Sequence, residues 1–206
     1  MAKIIFDFDG TIADSFEYVT NFMANQGDIG ELSDDQRQQL RGMSMTAIFR
    51  KLGYHWWSAP RMFFRGRWQM THAVRNLEPI EGMPEVIRKL HAEGHELLIL
   101  STNSVNNLHR FLHRRKLHTY FLQIYGGVGM FGKAPALRRL MREQNFDVEE
   151  CFYIGDELRD VLAAQSIGLK IIAVSWGFAK LDDLKAKKPT AIAYKPNDII
   201  TILEEL

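Results

Sequence analysis

The chain has 206 residues, of which 46% are hydrophobic and 25% charged, a composition typical of one globular domain with an insertion, or one and a half domains. The formal net charge of +1 gives no general argument for binding nucleic acid or an anionic membrane. The single cysteine, Cys151, excludes an intramolecular disulfide and a cysteine metal cluster. Because there is no leader pattern and no apolar run approaching about 18 residues, we expect a cytoplasmic protein of a reducing compartment.

An apolar run near the N-terminus ends in two aspartates one residue apart. Residues 3–6 predict a buried strand. Asp7 and Asp9 follow it, and Gly10-Thr11 ends the extended segment. Extended geometry would place both carboxylates on one face, at the strand end where open α/β sheets bind ligands. Close like charges favour a bound cation or a shared proton. The alternative is an ordinary strand-to-turn transition in which the aspartates satisfy backbone groups.

Residues 16–79 show helical patterns and no convincing strand. Residues 33–36 fit a capping box at the start of one helix, and residues 58–60 fit the start of another, because proline is tolerated in a first turn. This segment is therefore predicted to be a helical insert after the first strand. The rest of the chain, residues 1–15 and 80–206, would form an α/β core.

From residue 83 onward, predicted helices alternate with predicted strands. Together with the strand at residues 3–6, this alternation predicts an α/β fold, a doubly wound and mostly parallel sheet with a helical insert. The predicted strands cover residues 95–100, 121–125, 151–154 and 170–174. The predicted helices cover residues 84–93, 105–115, 135–144, 158–167 and 197–205.

Two further polar features follow strands of this sheet. Residues 101–104 (Ser-Thr-Asn-Ser) offer hydroxyls and backbone N–H groups that can hold a phosphate oxygen, although Ser104 alone could serve as a helix cap. Lys133 lies near a helix N-terminus, where a positive charge opposes the helix dipole. A lysine there is favourable if it meets carboxylates or phosphate; the alternative is a solvated side chain.

A third polar feature follows the strand at residues 151–154. Gly155-Asp156 comes where that strand ends, and Asp160 lies one helical turn further on. The structural alternative is equally good for this stretch alone, because acidic residues are favoured in the first turn of a helix.

Taken together and in this order, these features resemble the four motifs of the haloacid dehalogenase-like hydrolase superfamily, and the details are most similar to its phosphoglycolate phosphatase-like branch. The first motif corresponds to Asp7-Phe8-Asp9-Gly10-Thr11, the second to Ser101, the third to Lys133, and the fourth to Gly155-Asp156 with Asp160. The helical insert lies where the family has its cap.

The resemblance implies a phosphatase that acts on a small phosphorylated metabolite. Asp7 would be the nucleophile that forms an aspartyl-phosphate, and Asp9 would be the general acid and base. Ser101 and Lys133 would bind phosphate oxygens. Further candidates for binding the substrate are Gly10, Thr11, Thr102, Asn103 and Arg41, the last in a cap loop expected to face the site.

The resemblance also implies a magnesium site. Asp7, the backbone carbonyl of Asp9 and Asp156 would bind Mg²⁺, and Asp160 would support the site or add a ligand. This oxygen-only set favours magnesium over zinc. The presence of Asp9 argues against a dehalogenase, since dehalogenases of this fold lack the second acid.

Several alternatives stay open at this point. A phosphomutase would keep the same residues, and a non-catalytic regulatory protein could keep the fold. A nucleotide-binding protein is suggested by residues 127–134, which loosely fit a dinucleotide loop and a Walker A loop, but Ala134 lacks the required hydroxyl. Either Ser101 or Thr102 could be the phosphate-binding hydroxyl. Phosphoglycolate, a sugar phosphate and a nucleotide are all possible substrates, and the oligomeric state is not readable.

Overall fold

The sequence alternation produces a parallel sheet in the computed structural model, which describes residues 1–26, 32–40, 43, 45–54, 74–129 and 132–206. The sheet has six strands in the order β3-β2-β1-β4-β5-β6. They are β1 (Lys3–Phe6), β2 (Glu96–Leu100), β3 (Phe121–Tyr125), β4 (Cys151–Gly155), β5 (Lys170–Val174) and β6 (Ala191–Ala193).

Helices lie between the strands and in the insert. They are α1 (Phe16–Gln26), α2 (Asp34–Leu40), α3 (Met45–Lys51), α4 (Met83–Ala92), α5 (Val105–Arg114), α6 (Lys133–Gln144), α7 (Leu158–Gln165), α8 (Leu181–Ala186) and α9 (Asp198–Glu205). Two 3₁₀ turns cover His118–Tyr120 and Val148–Glu150. Within the described residues, no helix is long and apolar enough to cross a membrane.

Both faces of the sheet are covered by helices, which explains why its central strands are almost entirely apolar. Successive residues of β1 point to opposite faces: Ile4 and Phe6 belong to one buried cluster, and Ile5 belongs to the other. The first cluster includes residues of α4, α5 and α9. The second includes residues of α6, α7 and α8.

The strand register aligns the carboxyl ends of the three central strands. Phe6 pairs with Ile99 of β2 on one side and with Ile154 of β4 on the other. The chain runs outward from β1 through β2 to β3 and then returns to β4 beside β1, so the direction of winding reverses between β1 and β4. Loops that follow these strands meet at this reversal, where doubly wound sheets bind ligands.

The predicted fold class is confirmed, and the predicted strands agree with the structure to within one residue at each end. The sequence analysis missed β6 and α8. A three-residue Ala-Ile-Ala strand and a six-residue helix are too short to show a clear hydrophobic period. All five predicted helices differ from the structure by one or two residues at one or both ends, where helix assignments commonly differ.

The described part of the insert is helical, with α1, α2 and α3 packed around a separate apolar cluster. The capping box at its second helix is confirmed: the Ser33 N–H donates to Gln36 Oε1 at 2.8 Å, and the Gln36 N–H donates to Ser33 Oγ at 3.2 Å. The helix start at residues 58–60 lies outside the described residues. The division into a core of residues 1–15 and 80–206 and a cap of residues 16–79 stays a prediction.

Gly10 allows the loop after β1 to approach the loop after β4. Its φ is +77°, and a Cβ built on it would lie 2.4 Å from Asp156 Oδ2 and 2.6 Å from a ring carbon of Phe178. Gly168 has a similar φ of +75°, but a Cβ there would meet nothing within 4 Å in the described part of the chain. A comparison of the same substitution at Gly168 and at Gly10 therefore separates the cost of a left-handed backbone from the cost of steric crowding.

We expect Gly168→Ala to lower the free energy of unfolding by about 1–2 kcal/mol, the cost of a left-handed residue with a side chain. Gly10→Ala should lower it by a further 1–3 kcal/mol or so, because the methyl group also overpacks the loop contact. Urea unfolding of both variants measures the difference. Equal losses would show that the two loops can separate without cost.

Candidate active site

Asp7 is the first residue after β1, and its backbone is still tied to the sheet. Its N–H donates to the carbonyl of Ile154 at 2.8 Å. Both carboxylate oxygens are occupied: Oδ1 accepts the Phe8 N–H at 2.8 Å, and Oδ2 accepts the Lys133 ammonium at 2.5 Å. The side chain of Asp7 is therefore held in one orientation, with little exposure to water.

Lys133 opens α6, and its side chain turns into the protein. Only 3% of this side chain is exposed, so the alternative of a solvated lysine is wrong. The ammonium donates to Asp7 Oδ2 and also to Asp160 Oδ1. Burial by itself would lower the pKa of Lys133, but the adjacent carboxylates of Asp160 and Asp7 outweigh it and raise the pKa, which keeps the lysine charged.

Asp160 is held from three sides in the first turn of α7. Its Oδ1 accepts Lys133 and lies 3.4 Å from the hydroxyl of Tyr153, while its Oδ2 accepts the backbone N–H of Glu157 at 3.0 Å. The last contact belongs to a capping box that starts α7. Asp160 therefore helps to cap the N-terminus of α7 and also holds the Lys133 ammonium in place.

Asp156 follows β4 and is fully buried. Its Oδ1 accepts the hydroxyl of Thr11 at 3.1 Å, and its Oδ2 accepts the backbone N–H of Phe178 at 2.7 Å. One carboxylate oxygen from each of Asp7, Asp156 and Asp160 lies within 4.8 Å of the others. The structure therefore brings together three acids and one lysine that are up to 153 positions apart in the chain.

This cluster carries more negative than positive charge in a buried place. Burial raises the pKa of Asp7 to about 7, against the opposing effect of Lys133. Burial raises the pKa of Asp156 well above its usual value, and the nearby carboxylates of Glu157, Asp7 and Asp160 add to the shift. Hard carboxylate oxygens that repel one another at this spacing fit a divalent cation, which would relieve the repulsion.

Asp9 and the loop after β2 lie beside the cluster. The side-chain amide of Asn103 donates to Asp9 Oδ2 at 3.2 Å. Burial raises the pKa of the Asp9 carboxyl, and the hydrogen bond from Asn103 partly offsets that shift. The structure therefore places a carboxyl group with a raised pKa next to the amide of Asn103.

The same loop contains the two candidate hydroxyls. Ser101 is fully buried, and its Oγ accepts the backbone N–H of Asn103 at 3.0 Å. Thr102 is half-buried. Ser104 caps α5, as predicted, by accepting the Asn107 N–H at 3.3 Å. Arg41, the candidate in the cap, lies outside the described residues.

No chemical role was predicted for several groups that touch the cluster. The region after β5 provides the Phe178 N–H to Asp156, and the Trp176 indole donates to the Thr11 carbonyl at 3.3 Å. Tyr153 has the pattern of an ordinary strand residue. A backbone N–H donor has no residue signature, and a buried tyrosine in an apolar run resembles core, so neither could be recognised from the sequence.

The chain is similar to known proteins over its whole length. The model of the haloacid dehalogenase-like hydrolases matches residues 4–174. The chain belongs to this family. This haloacid dehalogenase-like hydrolase is 34% identical to a phosphoglycolate phosphatase of Synechococcus elongatus, and the alignment covers 100% of this chain and 99% of that protein. It is 27% identical to a 5′-nucleotidase of Pseudomonas aeruginosa, covering 91% of this chain and 89% of that protein.

The fold of this haloacid dehalogenase-like hydrolase agrees with solved structures. A haloacid dehalogenase-like family hydrolase from Streptococcus pneumoniae superimposes with a TM-score of 0.80 at 20% sequence identity, and the match covers 98% of each chain. The resemblance inferred from the four motifs is therefore confirmed, both by the family match and by the fold.

We expect Lys133→Met to lower the free energy of unfolding of the metal-free protein by about 3–5 kcal/mol, because buried carboxylates lose their only contacting ammonium among the described residues. Urea unfolding in the presence of a chelator measures the change. Lys89→Met is the matched control, since Lys89 pairs with Glu93 at 3.7 Å on an exposed helix face. The control should change stability by less than about 1 kcal/mol. Equal effects would contradict the importance of the buried contacts.

Proposed function

We propose that this chain is a Mg²⁺-dependent phosphatase that hydrolyses a small phosphate monoester through an aspartyl-phosphate on Asp7. The observation that carries the proposal is the buried Lys133 ammonium between Asp7 and Asp160, with Asp156 close by. Such a site concentrates fixed charges where a phosphoryl group would be transferred. The name of the 34% identical relative makes phosphoglycolate the first substrate to test, and the name of the 27% identical relative keeps nucleotides in the screen.

We propose Asp7 as the nucleophile. An oxygen of its carboxylate forms a bond to phosphorus while the bond from phosphorus to the ester oxygen breaks, which leaves the phosphoryl group on Asp7. The contacts from Phe8 N–H and Lys133 hold the carboxylate in one orientation, so little rotational freedom is lost on reaching the transition state.

We propose that Asp9 transfers the proton. As a carboxylic acid it donates its proton to the leaving alkoxide, and as a carboxylate it then takes a proton from water. The oxygen of that water attacks phosphorus, the bond to Asp7 breaks, and inorganic phosphate leaves. Asn103 keeps Asp9 in position through both steps by its hydrogen bond to Oδ2.

The donor set fits a magnesium ion. Asp7 and Asp156, with the backbone carbonyl of Asp9, would bind Mg²⁺, which when bound supplies positive charge to the phosphate oxygens. The described cluster contains carboxylates and neither histidine nor cysteine, which favours magnesium over zinc. Asp160 would hold Lys133 through the contact of its Oδ1 with the ammonium, or add a ligand to the ion.

Residues of the loops after β1 and β2 would meet the substrate phosphate. Ser101 retains its hydroxyl proton for a phosphate oxygen, since its Oγ accepts from Asn103. The Thr11 hydroxyl already donates to Asp156, and this supports a role in orienting that carboxylate. Thr102, Gly10 and Arg41 stay candidates for substrate binding. A cytoplasmic location and the absence of nucleic-acid and membrane partners also stay predictions from composition.

We expect Asp7→Asn to lower Mg²⁺-dependent hydrolysis of p-nitrophenyl phosphate by at least about 10⁴-fold, because an amide cannot replace the nucleophilic carboxylate. A colorimetric assay measures turnover, and circular dichroism checks that the variant is folded. Asp14→Asn serves as the control, because Asp14 is an exposed acid nearby in the chain. Retained turnover in the Asp7 variant would remove Asp7 as the nucleophile.

Metal removal tests the second half of the proposal. We expect a chelator to abolish hydrolysis and added Mg²⁺ to restore it, because the carboxylates otherwise repel the substrate phosphate. Without substrate, Mg²⁺ should raise the melting temperature of the wild type by preferential binding to the folded state. Asp156→Asn should lose this rise, and Asp14→Asn should keep it. Hydrolysis that persists in the chelator would contradict metal dependence.

A further inference from the structure

Arg159 lies in the first turn of α7, between Asp156 and Asp160, and no motif points to it. Its Nε and Nη2 both donate to a single oxygen of Glu157, at 3.0 and 2.5 Å. The Glu157 side chain is 10% exposed, whereas the Arg159 side chain is 30% exposed. The arginine is therefore oriented by a nearly buried partner and still reaches solvent.

The contact with Glu157 uses only one edge of the guanidinium. Arginine has five N–H donors in a planar fork, and the Nε–Nη2 edge is the one that Glu157 occupies. The Nη1–Nη2 end makes no other hydrogen bond or ion pair with the residues that the structure describes. That end matches a second carboxylate, because two parallel N–H groups can each donate to one oxygen.

Charge at the site favours an anion at this position. Of the two cations that contact the acidic residues of this edge, Lys133 has 3% of its side chain exposed and donates to Asp7 and Asp160. Arg159 is the other, and only it retains substantial exposure among the residues described there. It lies in the same first turn of α7 as Asp160, three positions after Asp156, so the helix start that carries these acids also carries this charge.

We propose that Arg159, oriented by Glu157, binds a carboxylate on the leaving-group part of the substrate and so selects phosphate esters that carry a second anionic group. Phosphoglycolate has such a carboxylate. The inference rests on the proposed phosphatase function and adds a substrate-binding residue to it. An arginine that served only as half of an exposed ion pair would contribute little to either stability or activity.

Two esters that differ in one group test this role. Phosphoglycolate and 2-hydroxyethyl phosphate share the phosphate and the carbon chain, but the second has a neutral hydroxymethyl group in place of the carboxylate. For Arg159→Gln we expect kcat/KM with phosphoglycolate to fall by about 10- to 150-fold, the range for lost hydrogen bonds to a charged group. The loss should appear mainly in KM, and the neutral ester should be hydrolysed almost as before.

Two further variants complete the design. Arg159→Lys keeps the charge but not the fork, so it should show a smaller loss, again selective for phosphoglycolate; it also decides the matter if the glutamine variant does not fold. Arg139→Gln is the matched control, because Arg139 donates to Glu143 at 2.6 Å with 72% of its side chain exposed on α6. It should hydrolyse both esters like the wild type.

The possible failures are distinguishable. Equal losses with both esters would overturn the inference, because Arg159 would then act on the shared phosphate, and the phosphatase function would stand. An unchanged preference in both Arg159 variants would also overturn it. If the wild type hydrolyses neither of these esters nor any other phosphate ester with Mg²⁺, the proposed function itself fails and the inference fails with it.

Discussion

The contact of one buried ammonium with two carboxylates is the constraint on which the site depends. Lys133 has almost no exposure to water, so its charge is tolerable only because Asp7 and Asp160 surround it. The same three groups join the ends of β1, α6 and α7. Local folding of any one element cannot satisfy them, and the charged centre forms only when all three have docked.

The topology of the sheet makes this meeting possible. Because β1 lies between β2 and β4, the loops that follow these three strands share one edge. The apolar strands fix the backbone of that edge from below, and Asp7 continues the ladder by one more hydrogen bond to β4. A rigid scaffold of this kind holds the side chains in place before any ligand arrives, which lowers the reorganisation needed during a reaction.

The sequence was sufficient for the fold and for the residues that directly follow strands. Asp7 and Asp156 could be predicted because an acid after an apolar run has a recognisable place in a parallel sheet. The partner of Lys133 could not, because hydrophobic period carries no information about which of several acids an ammonium meets. Arg159 could not be predicted for a related reason: a charged side chain in the first turn of a helix is ordinarily exposed to solvent.

Short elements and backbone hydrogen-bond donors also could not be predicted from the sequence. β6 and α8 have too few residues for a period to emerge, and the N–H of Phe178 has no counterpart in residue type. Resemblance to a family supplied the roles of the motif residues, but it did not supply the contacts that hold them. Those contacts depend on side-chain geometry across the loop edge, which only the three-dimensional arrangement reveals.

Phe178 connects two parts of the molecule that the domain division separates. Its backbone N–H holds Asp156, while its ring lies 5.3 Å from that of Phe16 at the start of α1 and belongs to the apolar cluster of the insert. Phe178 therefore contacts both the insert and a carboxylate of the acidic cluster. Because the ring and the backbone N–H belong to one residue, a change in the position of Phe16 that moves Phe178 would also alter the support of Asp156.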